Sequence, residues 1–253
     1  MTSSSATRYR DYDNFARIHS ESWGLELRQW LPDIEDFIRK HFPENSPERP
    51  KILDLCCGTG DLAQGLHQKG YQVTGLDGSE EMLRYARQNS PDSEFILDDA
   101  RFFKLPSTFH GVISTMYGLN HIITIEELTN VFRNVYAALL SNGVFIFDLK
   151  LDEFYRSSWH NSVLGDIKDE YVWTMLRCYN SQARLGEIKT AIFQLLEKNW
   201  QRSDLTWQVK GYFNNEIKSA LQDVGFKNIR IYDLEHDFHK LGCAGIIYVV
   251  GYK

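Results

Sequence analysis

Gly58 and Gly60 stand between an apolar run and an amphipathic stretch in Ile52-Leu-Asp-Leu-Cys-Cys-Gly-Thr-Gly-Asp-Leu-Ala63. Glycines spaced this way let the backbone approach a ligand with no Cβ between them. Asp77 follows 17 residues beyond Gly60, at the end of the next apolar run. That is near the spacing of the acid that holds a ribose in dinucleotide-binding units. Together these residues point to an adenosine-bearing ligand. Asp54 narrows the choice, because it lies in the strand four residues ahead of Gly58. A pyrophosphate over such a turn sits at a helix N-terminus and would be repelled by this carboxylate, with Asp61 adding a second negative charge. A ligand carrying an ammonium and a sulfonium there, as S-adenosylmethionine does, suits the turn better. An NAD(P)-dependent oxidoreductase is the alternative that the glycine pattern alone allows.

Three further segments extend the pattern: Val73-Thr-Gly-Leu-Asp-Gly-Ser-Glu-Glu-Met-Leu83, Phe95-Ile-Leu-Asp-Asp-Ala100 and Phe109-His-Gly-Val-Ile-Ser-Thr-Met-Tyr-Gly-Leu-Asn-His121. With Ile52–Ala63 they resemble, in order, the four motifs of class I S-adenosylmethionine-dependent methyltransferases. The resemblance covers roughly residues 50–150, and the Gly225-Phe226 unit also fits. The layout is similar to the small-molecule branch, including sugar and amine N-methyltransferases with an antiparallel insert. Cys56 stands where that family often has Gly. The resemblance implies that Asp54 and the Gly58 backbone hold the methionine end and that Asp77 takes both ribose hydroxyls. Cys56 and Gly60 belong to the same turn. Gly78 and Met82 would line the adenosine, Asp99 would accept from the adenine amino group, and the Ala100 N–H would reach a ring nitrogen. An aromatic N-terminal segment closes over the cofactor in related enzymes, and Tyr12 is the residue assigned here.

The implied reaction moves a methyl group by in-line attack to the nitrogen, or the oxygen, of a small-molecule acceptor. His121 is the candidate general base, because its ordinary pKa lies near neutrality. Tyr117 and Asn120 precede it, outside the carboxyl ends of the strands where this fold binds substrate. Phe154 and Tyr212 are candidate acceptor-pocket residues. A non-catalytic S-adenosylmethionine-binding interaction protein is the second alternative. No metal is expected, since Asp148 has no convincing partner ligands.

These residues must be positioned by a regular scaffold. From Tyr9 to His41 the pattern is helical, with a second helix expected to start near Pro32; residues 1–8 are polar and expected to fray. Phe42–Pro50 reads as a linker. Strands then alternate with helices: 51–55, 71–76, 94–97, 111–116 and 144–148 as strands, and 61–69, a Ser79-capped helix and 126–140 between them, the last stopped by Ser141-Asn-Gly143. This is α/β: a Rossmann-like, seven-stranded, mostly parallel sheet with helices on both faces. Strands at 171–179, 186–196 and 205–213, with turns at 180–183 and 199–204, imply a small inserted antiparallel sheet after strand five. A helix at 214–224 and strands at 228–234 and 246–251 complete the α/β pattern. The expected division is a helical cap, 1–49; a cofactor domain, 50–150 with 214–253; and an inserted substrate or dimer subdomain, 151–213.

Composition bounds the rest. The chain has 253 residues, 43% hydrophobic and 25% charged, enough for a full core. A net charge of −6 gives no surplus to neutralise phosphates, so no nucleic-acid partner is expected. Neither an apolar leader nor a span of about 18 apolar residues is visible, so the expectation is a cytoplasmic protein without a membrane partner. Cys56, Cys57, Cys178 and Cys243 form no metal-binding pair and read as free thiols. Exposed insert strands could pair across a homodimer.

Overall fold

The chain opens in helix. A computed structural model describes residues 3–42 and 47–253, so the expected linker at 42–50 lies partly outside the described residues. Helix α1 (Ser3–Ile18) starts earlier than the hydrophobic pattern, and passes through a π-helical turn (His19–Trp23) into α2 (Gly24–His41). No new helix begins at Pro32, which sits inside α2. An interior proline costs about 3 kcal/mol. Burial of Leu27, Ile34, Phe37 and Ile38 offsets that cost.

The main sheet contains β1 (Lys51–Leu55), β2 (Gln72–Asp77), β3 (Glu94–Leu97), β4 (Phe109–Ser114) and β5 (Leu139–Lys150), with α3 (Asp61–Gln68), α4 (Glu80–Asn89) and α5 (Ile125–Ala138) between them. Ser79 caps α4 by accepting from the Met82 N–H, with Glu80 and Glu81 in the first turn. The Leu27–Ile38 face of α2 joins Leu62 and Leu66 of α3 in one cluster under β1. Ser141-Asn-Gly143 does not stop α5. The helix ends at Ala138, and Leu139 is already extended, at φ −72° and ψ 141°. The turn-like residues instead make a bulge inside β5, between the pairs Phe109–Leu139 and Gly111–Val144.

The second sheet follows α6 (Asp152–Ser158). It is antiparallel and has four strands, β6 (Ser162–Ile167), β7 (Tyr171–Asn180), β8 (Leu185–Leu196) and β9 (Asn199–Lys210), one more than expected. Asn199–Asp204 is strand rather than turn. The turn is Glu197-Lys198, both left-handed at φ 50° and 69°, a two-residue hairpin. The polar run misleads because this end of the hairpin projects beyond the core. Helix α7 (Asn214–Val224) ends at Gly225 as expected, and β10 (Lys227–Asp233), α8 (Leu234–Phe238) and β11 (Ile246–Tyr252) close the chain.

The seven-stranded order is β10-β11-β5-β4-β1-β2-β3, with β11 antiparallel to both its neighbours. Strand order reverses direction at β1, between β2 and β4, and such a switch point opens a crevice at the carboxyl ends of the strands. Helix α1 roofs this crevice. Its Phe15, Ala16 and Ile18 pack with Trp173, Met175, Ile188 and Trp207 from the second sheet. No described helix is long and apolar enough to cross a membrane.

Candidate active site

One cavity occupies the switch point, with about 1170 Å³ of space between protein atoms including its open mouth. The floor is the turn after β1 and the end of β2. The wall is the segment after β4. The roof is α1 with its π-helical turn, and Trp207 of β9 closes one side. Of the residues singled out in the sequence, Tyr12, Asp54, Cys56, Gly58, Asp77, Gly78, Met82, Ala100 and His121 line it.

The floor is set by backbone geometry. Cys56 is left-handed at φ 60°. Gly60 is left-handed too, at φ 76°, and a Cβ there would lie 2.9 Å from the Ala86 Cβ. Gly60 is therefore a packing and turn residue, not a lining one. The Gly58 N–H does not point to a ligand; it donates to Asp77 Oδ2 at 2.9 Å. Asp77 Oδ1 accepts from the Ser79 N–H at 3.0 Å. A carboxylate has about four acceptor sites, and the Gly58, Gly78 and Ser79 amides take up to three of them, which leaves Asp77 acceptor capacity for a hydroxyl. Burial raises the Asp77 pKa against the pull of these amides.

Asp54 is 2% exposed and its Oδ2 has no hydrogen-bond partner. Burial and nearby Asp77 push its pKa up to about 8. A buried acceptor left unpaired costs about 1–3 kcal/mol, and a ligand ammonium is the group that would satisfy it. Arg28 Nε donates to Asp61 Oδ1 at 2.8 Å and offsets part of its charge, while Asp61 still adds to the rise at Asp54.

Two histidines face the cavity, His19 from the roof and His121 from the wall. Tyr12 Oη lies 2.6 Å from His121 Nδ1, and Tyr12 stacks on Trp207 at 5.6 Å. His19 Nδ1 lies 3.0 Å from Thr59 Oγ1, and Thr59 donates to Asp61 Oδ2 at 2.7 Å. His19, Trp23 and Thr115 line the cavity but were not singled out as site residues. The only signal for His19 would have been the π-helical turn, a form common at functional sites, and its partner Thr59 is far away in sequence.

Besides Gly60, five residues singled out in the sequence do not line the cavity. Asp99 is held by Arg101, whose Nη2 donates to its Oδ2 at 2.6 Å. Burial would raise the Asp99 pKa, but Arg101 and the Tyr9 hydroxyl hold it below the usual range. Asn120 is buried and braces the backbone, donating to the carbonyls of Lys150 and Lys210 and accepting from the Lys150 N–H. Tyr212 donates to the Ile122 carbonyl at 2.5 Å and packs in the main core. Tyr117 and Phe154 both lie under the Lys150 ammonium, at 3.8 and 5.0 Å from their ring centroids. Among the described residues no group of His, Cys, Asp and Glu could hold a metal ion.

Residues 52–143 match a family described as a methyltransferase domain. A putative methyltransferase of Bacillus subtilis is 26% identical over 227 residues, 87% of this chain and 88% of that one. A sugar N,N-dimethyltransferase of Streptomyces venezuelae, acting on a dTDP-3-amino-3,4,6-trideoxyglucose, is 32% identical over 54% of each chain. The fold is similar to that of an S-adenosylmethionine-dependent methyltransferase from Clostridium acetobutylicum, with a TM-score of 0.77 and 21% identity over 95% of this chain and 98% of that one. The unpaired Asp54 oxygen, the acceptor capacity left on Asp77 and the matched methyltransferase domain lie on one crevice, and in both sequence and fold the chain is similar to S-adenosylmethionine-dependent methyltransferases.

Proposed function

We propose that the chain methylates the nitrogen of a small-molecule acceptor. The observation that carries this reading is that one cavity is lined both by the Asp54–Asp77 floor and by the Tyr12–His121 pair, with no Lys or Arg among its described lining residues. An anionic reacting group would find no counter-charge there, whereas an amine flanked by Tyr12, Trp23 and Trp207 would meet aromatic faces suited to cations. The Streptomyces relative, named for an N,N-dimethylation, supports nitrogen over oxygen.

When bound, the cofactor supplies an electrophilic methyl group on a sulfonium leaving group. Asp54 holds its ammonium, Asp77 its ribose hydroxyls, and Gly78, Met82 and Ala100 line its adenosine. Asp99 serves this end indirectly, by fixing Arg101 and Tyr9. Tyr12 fixes the His121 ring, so that His121 removes the proton from an acceptor arriving as ammonium. Enclosure by α1 and β9 excludes water, and alignment of the acceptor supplies most of the rate, up to about 7–11 kcal/mol in the best intramolecular systems.

In this reading residues 1–49 cap the cofactor, 50–150 with 214–253 bind it, and 151–213 complete the acceptor pocket and present β6 and β9 edges for a homodimer. The setting is cytoplasmic, with no nucleic-acid or membrane partner. A radiolabelled-methyl screen of amino-sugar nucleotides, small amines and phenols tests it. Label on nitrogen is the expected result. Label on phenols alone overturns the nitrogen assignment, and S-adenosylhomocysteine binding without transfer to any acceptor class favours the interaction-protein alternative.

A further inference from the structure

We propose that His19 seats the carboxylate of the cofactor's amino-acid end by taking up a proton as that carboxylate arrives. The proposal rests on the cofactor reading above and assigns a residue of the π-helical turn to a part of the ligand that the floor leaves without a counter-charge.

The tautomer follows from the network. Asp61 is ion-paired with Arg28, so it is an acceptor only. Thr59 spends its one hydroxyl proton on Asp61. Thr59 Oγ1 can therefore only accept from His19, and the proton of a neutral His19 is on Nδ1. That leaves Nε2 with a bare lone pair. This nitrogen has no partner among the described residues, and it lies directly over the glycine turn, 3.5 Å from where a Cβ on Gly58 would stand. Burial favours the neutral ring, with Asp61 opposing it weakly.

The charge inventory gives the ring its task. Among the described lining residues only His19 and His121 can become cationic. His121 is engaged with Tyr12. Asp54, with its unpaired oxygen, takes the ammonium. The carboxylate one carbon away must then meet a donor near Gly58, and a bare Nε2 would repel it. Protonation converts that repulsion into a charge-assisted hydrogen bond. The groups facing His19 are Asp61 and Thr59 from α3 and its turn, Arg28 of α2 locked on Asp61, Asp54 of β1, Asp77 of β2, the Cys56 and Cys57 thiols, whose pKa values burial pushes well up, and the uncharged rings of Phe15 and Trp23. Asp54 sheds a proton when it meets the ammonium, so the wild-type protein conceals the uptake at His19 in its net count. The informative quantity is the difference between proteins.

Calorimetric titration tests this with S-adenosylhomocysteine and with 5′-methylthioadenosine, which lacks the amino-acid end. Wild type, His19→Gln and His19→Ala would be titrated in buffers of different ionisation enthalpy near pH 7. The expected result is that the homocysteine ligand binds about 10- to 100-fold more weakly to His19→Ala. Methylthioadenosine should bind all three proteins within about twofold, which also shows that the variants are folded. Wild type should take up about one proton more than His19→Gln per homocysteine ligand bound. Equal loss of both ligands makes His19 a brace for the roof, and equal proton counts make it a neutral acceptor; either overturns the proposal. Failure of both ligands to bind wild type overturns the cofactor reading itself.

Discussion

Tyr12 Oη and His121 Nδ1 are 2.6 Å apart, joining α1 to the 3-10 turn Gly118–His121 across the mouth of the cavity. A base held this way matters only while the acceptor carries the proton. His121→Ala is therefore expected to lower kcat roughly 10²- to 10⁴-fold near pH 7. The deficit should shrink as pH passes the pKa of the acceptor amine, which then arrives deprotonated. Tyr12→Phe should show a smaller loss with the same pH trend. A deficit that stays constant with pH would instead mean that His121 shapes the pocket without moving a proton.

Asp54 sets stability against binding. Its folded pKa is raised to about 8 by burial and Asp77. The folded state thus holds this proton more tightly than the unfolded chain does. The resulting stability is fully present below the unfolded pKa and is lost as pH rises through about 8, with a slope of at most about 1.4 kcal/mol per pH unit. Asp54→Asn should flatten this decline, melting above wild type near pH 9 when both are ligand-free. The same variant should bind S-adenosylhomocysteine about 10- to 100-fold more weakly. Thermal melts across pH 6–9 alongside calorimetry read both arms, and parallel gains or losses in the two would contradict the assignment.

The residues that the sequence made legible are those whose role is local. Ser79 caps its helix, Gly225 ends one, and Asp54 and Gly58 share a strand–turn–helix unit with Asp77 at the end of the next strand, so spacing alone was informative. What stayed hidden depends on partners far along the chain. Tyr212 looked like a pocket aromatic, but its hydroxyl is committed to the Ile122 carbonyl. Asn120 looked like an acceptor contact, but it braces β5 and β9. His19 reaches Thr59 only because the π-helical turn rotates it over the glycine turn. Pro32 failed as a boundary signal because apolar packing outweighs its backbone cost.

Gly78 and Tyr9 make a close contact that bears on the roof. A Cβ on Gly78 would lie 2.4 Å from Tyr9 Cζ, and burial together with Asp99 raises the Tyr9 pKa. Gly78→Ala should therefore push α1 away from the floor, speed amide exchange in α1 and weaken S-adenosylhomocysteine binding. Tyr9→Ala added to Gly78→Ala removes the clash and should recover part of that binding. If the double variant is no better than the single, the fault lies in the turn after β2 and not in the fit of α1.

Asp148 fixes the segment that carries His121. Met116 and Tyr117 are consecutive left-handed residues, at φ 58° and 63°. Their N–H groups donate to Asp148 Oδ2 and Oδ1 at 2.9 and 2.7 Å. Non-glycine residues in this region cost about 1–3 kcal/mol each, and the paired bonds oppose that cost. Burial pushes the Asp148 pKa up to about 7 against these amides, so its contribution to stability falls as pH rises through 7 while its acceptor strength grows. Asp148→Asn turns one acceptor into a donor facing an N–H. It should destabilise the protein by about 1–3 kcal/mol at pH 8 and lower activity through misplacement of His121. Met116→Gly with Tyr117→Gly relieves the backbone cost that Asp148 balances. In the Asp148→Asn background these changes should therefore cost less stability than they do in wild type. A thermal-melt cycle reads that coupling. Strict additivity would mean that Asp148 stabilises the core without holding the loop.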